Sequence, residues 1–416
     1  MPSASDAREL SWSRAAQLAA AALFLAVIAL PLLDTLFHFA PETALGENRS
    51  LKKYPQLHWK SGSLWKRHLW RELAKFPADF DAAFSDRFGF RATLVRLDGA
   101  IKIFAFRLSP TPRVVIGKNG WLYYDLAAQN AAERQPGAAA ARWRQEIEAK
   151  AAWCHARGIA YLFVLMPVKE TIYPENVPAG LLRAPPTLAD QLAELLRTTP
   201  SVSSLDLRGP LRSARRLSPD ALFYRTDTHW TDHGALIGCR EIIARLQPML
   251  PDVTPPDVGT FAWKRETVRS MNLAKMLGFG QHFPEETWLA DSGARLSKVT
   301  NAPWLRAYSW TPDRLPSLWL CRSAANQRRL VFCSDSFGAA LAPLLANAYA
   351  RTAYARSEFP INAAFHAFQE TLLAAEQPDV LIELVSEQHL SATPVHIFGS
   401  AKKDERPAKS RSSTEL

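Results

Sequence analysis

From Ala139 to Val385 the chain alternates helical stretches with short, wholly apolar runs, and few architectures accept that pattern. Ala139 to Arg157 reads as a helix closed by Gly158, and the apolar run Ala160 to Met166 stops at Pro167. Pro186 to Thr198 reads as a helix and Val202 to Leu207 as a short strand. A helix over Thr231 to Leu246 follows. Further on, Arg329 to Cys333 reads as a strand, Phe337 to Tyr349 and Phe365 to Glu376 as helices, and Asp379 to Val385 as a strand. A strand that is apolar throughout must be covered on both faces, and a strand reached through a helix runs parallel to its predecessor. The pattern therefore predicts an α/β fold of three layers with a mostly parallel sheet. In such sheets the loops beyond the carboxyl ends of the strands carry the chemistry.

The N-terminus obeys a different rule. Ala15 to Leu33 is apolar except for Gln17 and extends to Phe37 if Asp34 and Thr35 lie at an interface. About 20 apolar residues cross a bilayer as a helix. A cleaved signal peptide has a shorter apolar core and a small-residue cut site, whereas here Ala40 is followed by Pro41. The expectation is an uncleaved transmembrane anchor. Arg8 and Arg14 on one side are matched by Arg49, Lys52 and Lys53 on the other, so flanking charge does not set the orientation. Residues 1–40 are thus expected to form a stub and anchor, 41–110 a connecting region, 111–395 the main domain, and 396–416 a disordered charged tail. Within the connecting region Phe76, Phe80, Phe84 and Phe88 recur every four residues, one face of a helix. Val114 to Tyr124 carries two β-type runs around Lys118-Asn119-Gly120, a hairpin signal.

The net charge of +10 admits nucleic acid, an acidic polymer or a solvated basic surface as readings. The Lys and Arg residues are scattered and no zinc-finger or RNP-like motif occurs, which favours the solvated surface. The four cysteines, Cys154, Cys239, Cys321 and Cys333, include no C-x-x-C pair. Cys321 and Cys333 each close an apolar run, so a disulfide is possible if those strands are neighbours. Otherwise they are buried thiols, the reading we favour.

Two segments concentrate chemistry. In Asp227-Thr228-His229-Trp230 the carboxylate and imidazole are two residues apart, on one side of an extended segment. The carboxylate then fixes one ring nitrogen and leaves the other as a base. In Leu330 to Gly338 a buried strand runs into a polar turn and a helix, placing Ser336 at a helix N-terminus where N–H groups favour negative charge. A serine needs a positioned base to act as a nucleophile, and the Asp-His pair supplies one. Against this, Asp335-Ser336 taken alone reads more readily as a helix N-cap. A metal reading of Asp227, His229, Asp232 and His233 is disfavoured, because Trp230 stands where an H-E-x-x-H glutamate would be. No metal or other cofactor is expected. Trp230, beside the histidine, is a candidate substrate contact.

Taken together the motifs resemble the SGNH-hydrolase-like acetyltransferases of the AlgJ/AlgX (alginate O-acetyltransferase) kind. The resemblance runs through Glu47-Asn48-Arg49, Asp86 to Arg91, Gly117 to Leu122, and Pro167-Val168-Lys169 with Tyr173-Pro174-Glu175. It continues through Asp227 to Trp230, Asp335-Ser336-Phe337 and Pro378-Asp379-Val380. It implies an SGNH-like domain with Asp227, His229 and Ser336 as catalytic triad. It also implies acetyl transfer through a serine acyl-enzyme to hydroxyls of an exported polysaccharide, and a multipass membrane-bound O-acyltransferase as acetyl supplier. The domain would then stand in the periplasm, anchored in a bacterial inner membrane. An SGNH-type carbohydrate acetylesterase and a non-catalytic polysaccharide-assembly protein are the alternatives. The chain departs from the pattern at Ser334, where glycine is common, and at Asn272, where Asp is common; no carbohydrate-binding module follows.

Overall fold

The computed structural model describes residues 14–37, 52–56, 65–126, 136–291, 293, 295–306, 315–357 and 363–392. Glu47-Asn48-Arg49 and the tail 396–416 lie outside them. The chain divides into two compact units, 1–110 with 276–278, and 111–275 with 279–416.

In the first unit the apolar run is one helix, Arg14–Phe37, with mean hydropathy 2.3 in its best window. It is long and apolar enough to cross a membrane. Its C-terminal turn is polar and occupied: Asp34 Oδ2 accepts the Phe90 amide at 2.9 Å and Thr35 Oγ1 accepts the Gly89 amide at 2.8 Å. A Cβ at Gly89 would collide with the Pro31 carbonyl, which is why the chain needs glycine there. The four-residue phenylalanine spacing falls on the helix Trp65–Arg87 and the turn after it, and successive rings stack 6.0 to 6.2 Å apart.

The second unit opens with the expected hairpin, β1 (Val114–Ile116) against β2 (Leu122–Tyr124). Asn119 and Gly120 take the positive φ values, 54° and 77°, that close it. Its main sheet has seven strands: β3 (Ala160–Met166), β4 (Ser204–Asp206), β7 (Leu296–Val299), β8 (Ser317–Cys321), β9 (Arg329–Ser334), β10 (Arg351–Arg356) and β11 (Val380–Ser386). The spatial order is β4-β3-β11-β9-β10-β8-β7, parallel through β10 and antiparallel for β8 and β7. A separate antiparallel ribbon pairs β5 (Ala262–Val268) with β6 (Glu285–Asp291).

Side-chain alternation in β3 explains the layers. Leu162, Val164 and Met166 join one core with the helices Asp232–Leu246 and Gly338–Ala346. Tyr161, Phe163 and Leu165 join another with Pro136–His155 and Leu188–Arg197. Glu383, the one charge inside β11, is satisfied by Lys150 at 2.6 Å and the Tyr161 hydroxyl at 2.9 Å, all buried. All four cysteines are buried free thiols, and β10 lies between the strands of Cys321 and Cys333, so no bridge can span them.

Candidate active site

Five parallel strands end on one side of the sheet, and four of them lead into polar residues of the candidate site. β3 leads to Lys169 and Glu170, β4 to Arg208, β9 to Asp335 and Ser336, and β11 to Glu387. The turn after β9 is built by Asp335, 1% exposed. Its Oδ1 accepts the Phe337 amide at 3.0 Å, and its Oδ2 accepts the Ser386 amide at 2.8 Å from the end of β11. The capping role weighed for Asp335-Ser336 therefore belongs to Asp335. Ser336 caps nothing and is half-buried. Of the amides expected to face an oxyanion, that of Phe337 is bound to Asp335 Oδ1 and that of Gly338 to the Asp335 carbonyl, at 3.1 Å. Ser334, the residue in the glycine position, donates its hydroxyl to the Asp335 carbonyl at 2.9 Å and leaves no room for a Cβ at Gly338.

Asp227 and His229 lie at the tip of the loop 222–231, whose base is closed by a Phe223–Trp230 bridge and by Tyr224 N–H to His229 O at 3.1 Å. The segment is bent, not extended as the i, i+2 spacing predicts. In the bend Asp227 Oδ1 accepts both the His229 amide at 3.1 Å and His229 Nδ1 at 2.6 Å, which an extended backbone would not allow. The other oxygen, Oδ2, accepts the Asn272 amide at 2.9 Å. Asn272 also binds Thr228 twice, through its amide at 3.1 Å and its hydroxyl at 2.7 Å. Burial pushes the Asp227 carboxyl up, but the hydrogen bond and charge of His229 and the amides of Asn272 and His229 outweigh it. The group is held below the ordinary Asp range.

His229 Nε2 is buried and, among the described residues, without a hydrogen-bond partner. The ring sits 4.9 Å from that of Phe337, the residue after Ser336. Trp230 makes the same junction from behind: its Nε1–H donates to the Phe337 carbonyl at 3.0 Å. At 1% exposure Trp230 has no face for a ligand, so the substrate-contact expectation is corrected. It ties the histidine loop to the turn after β9, and its burial contributes on the order of 3 kcal/mol. His233 belongs to a different set, 3.6 Å from Asp220 and 4.7 Å from the Trp263 ring, and does not join His229.

Two further residues shape the loop. Glu285, 5% exposed at the start of β6, accepts the amides of Arg225 and Thr226 at 2.8 and 3.2 Å and the Thr226 hydroxyl at 2.5 Å. Lys169 donates to loop carbonyls from the opposite side. No sequence signal marks Glu285, one of two adjacent acids at the start of a ribbon strand. Lys169 stands in a recognised motif, yet spacing gives it no partner. On the outer side of the loop a cleft of about 280 Å³ is lined by Arg225, His233, Arg265, Glu286 and Trp288 among others; neither His229 nor Ser336 lines it.

A mixed sheet between helices, with a polar loop cluster at its carboxyl edge, makes this an α/β domain. Residues 114–300 match the family model described as SGNH hydrolase-like domain, acetyltransferase AlgX. That stretch holds Asp227 and His229; Ser336 lies beyond it. The resemblance to AlgJ and AlgX proteins is one of stretches of the chain, not of its whole length. It is 30% identical over 148 residues to the probable alginate O-acetylase AlgJ of Azotobacter vinelandii, covering 33% of this chain and 34% of that one. It is 31% identical over 167 residues to the protein of the same name from Pseudomonas aeruginosa PAO1, covering 39% and 40%. The match thus spans well under half the length of these curated relatives. Among solved structures, the O-acetyltransferase domain of Pseudomonas putida AlgJ has a TM-score of 0.43 at 18% identity over 68% of this chain and 93% of that one.

Proposed function

We propose that the chain is a serine-dependent O-acetyltransferase with Ser336 as nucleophile, His229 as base and Asp227 as the group that orients it. The observation that carries this reading is the state of His229. Its Nδ1 is fixed by a carboxylate at 2.6 Å, its Nε2 has no hydrogen-bond partner among the described residues, and its ring packs on Phe337, one residue from Ser336. A carboxylate on Nδ1 selects the tautomer whose Nε2 accepts a proton. In this reading Ser336 Oγ attacks the acetyl carbonyl while Nε2 takes its proton, and the leaving group departs with that proton. An acceptor hydroxyl then attacks the acyl-serine, losing its proton to Nε2, and Ser336 Oγ recovers one as it leaves. The names of the relatives, probable alginate O-acetylases, support a polysaccharide as acceptor, and that it is an exported one is part of the proposal. A multipass membrane-bound O-acyltransferase is our proposal for the acetyl supplier.

Ser336→Ala tests the chemistry. With a chromogenic acetyl ester and an oligosaccharide acceptor, the folded variant loses acetyl transfer and labelling by a serine-directed phosphonate. Unchanged turnover would rule out the nucleophile. Acetate release with no acetylated acceptor would make the protein an esterase. We further propose that Arg14–Phe37 anchors the chain in a bacterial inner membrane with the main domain, 111–395, in the periplasm. The preceding residues 1–40, the connecting region 41–110 and the tail 396–416 complete the division. Alkaline phosphatase fused after Leu416 is then active, since its disulfides form only outside the cytoplasm. An inactive fusion would reverse the topology.

A further inference from the structure

The hairpin β1–β2 encloses a charge. Lys169 is 2% exposed, with Nζ 5.6 Å from the centre of the Trp121 ring and 5.3 Å from that of Tyr123. On its other side Nζ donates to three main-chain carbonyls of the Asp-His loop: Tyr224 at 3.0 Å, Arg225 at 3.1 Å and Asp227 at 2.6 Å. An ammonium has three donors and no acceptor, so donors and carbonyls match one to one. Among the described residues no ion pair includes Lys169. A buried cation that binds only carbonyls is costly to desolvate, and a carboxylate partner would have been the cheaper arrangement. What the charge does here is hold a loop. The hairpin adds to the same grip, because the Leu122 amide donates to the Arg225 carbonyl at 2.8 Å.

We propose that Lys169, in its ammonium form and held in the aromatic cage of Trp121 and Tyr123, is a positioning residue for the Asp227–His229 pair. The inference rests on the triad reading given above. Asp227 is gripped at its carbonyl by Lys169, at Oδ1 by His229 and at Oδ2 by Asn272. Releasing the carbonyl lets the carboxylate, and with it the direction of His229 Nε2, drift. A displacement of about 1 Å between reacting groups costs on the order of 100-fold in rate.

The titratable groups facing Nζ are Glu170 on its own helix Lys169–Ile172, Asp227 on the loop, Glu285 on β6 and the Tyr123 phenol on β2. Burial pushes the ammonium down, the three carboxylates offset part of the effect, and the result is about 7. Burial raises the Tyr123 phenol, so that group stays neutral. A neutral amine has two donors for three carbonyls and turns a lone pair toward one of them. The grip therefore weakens as pH rises past neutrality.

The test uses the full chain in detergent, with thermal melting, the rate of Ser336 labelling by a sulfonyl fluoride, and the low-field proton resonance of the His229–Asp227 bond. Lys169→Met is expected to melt cooperatively, lose the low-field resonance and label on the order of 100-fold more slowly. Lys169→Arg, which keeps the charge, recovers part of both signals. A folded Lys169→Met with wild-type resonance and labelling overturns the proposal. Failure of wild-type Ser336 to label would sink the triad reading instead, and the resonance would still report on Lys169. If Lys169→Met does not fold, Trp121→Leu serves. Opening the cage to water lets the amine keep its proton to higher pH, so the alkaline fall in labelling moves up by about one unit or more. An unmoved fall overturns the proposal.

Discussion

Asp335→Asn tests how the turn after β9 is held. The native carboxylate, 1% exposed, receives the Phe337 amide at 3.0 Å and the Ser386 amide at 2.8 Å. Hydrogen bonds to a buried charge are worth about 1.5 to 3 kcal/mol each. Asn has the same shape but one acceptor oxygen. Whichever way its amide turns, it keeps one bond, now neutral and worth about 1 kcal/mol, and points its NH₂ at the other backbone N–H. The expected loss is about 3 kcal/mol, a large part of the roughly 5 to 15 kcal/mol that holds an ordinary domain. In urea, with a slope of about 3 kcal/mol per molar, the midpoint falls by about 1 M. Because the Ser386 bond ties the turn that carries Ser336 to the neighbouring strand, Ser336 labelling, on the proposed function, slows in the same variant even where it is fully folded. A midpoint within about 0.2 M of wild type would refute the two-bond account, whatever the activity.

The remaining predictions concern the same region. Gly338→Ala drives a Cβ into Ser334 and should cost about 2 kcal/mol. Ser334→Gly in the same chain should return most of it, and a double-mutant cycle with no coupling would show that Ser334 is not the obstacle. Glu170, buried beside Arg183, is raised to about 7, with burial the main cause. Its folded-state value lies above the unfolded one, so its contribution is complete below about pH 4.5 and is lost as pH rises through about 7, roughly 3 kcal/mol in all. Melting from pH 4.5 to 8 should therefore fall more steeply for wild type than for Glu170→Gln, and parallel curves would refute the shift.

How much of this was legible in the chain depends on the range over which each feature is decided. The apolar runs at β3, β9 and β11, the capped start of Asp232–Leu246 at Thr231 and the turn at Asn119-Gly120 are set by neighbours a few residues away, and the sequence alone located them. The anchor helix is equally local, since length and apolarity define it. β10 was not legible, because Arg351-Thr352-Ala353-Tyr354-Ala355-Arg356 carries no apolar run. It is a strand because β9 and β8 flank it. Asp227 and His229 could be paired from their spacing, but the bend that brings the carboxylate to the His229 amide is imposed from outside, by Lys169, Asn272 and Glu285. Those three contacts join residues 45 to 60 positions apart. Sequence fixes a residue's chemistry and its local backbone preference. Which distant amide or ammonium meets a given carbonyl follows from sheet order and strand register, and these exist only once the chain has folded.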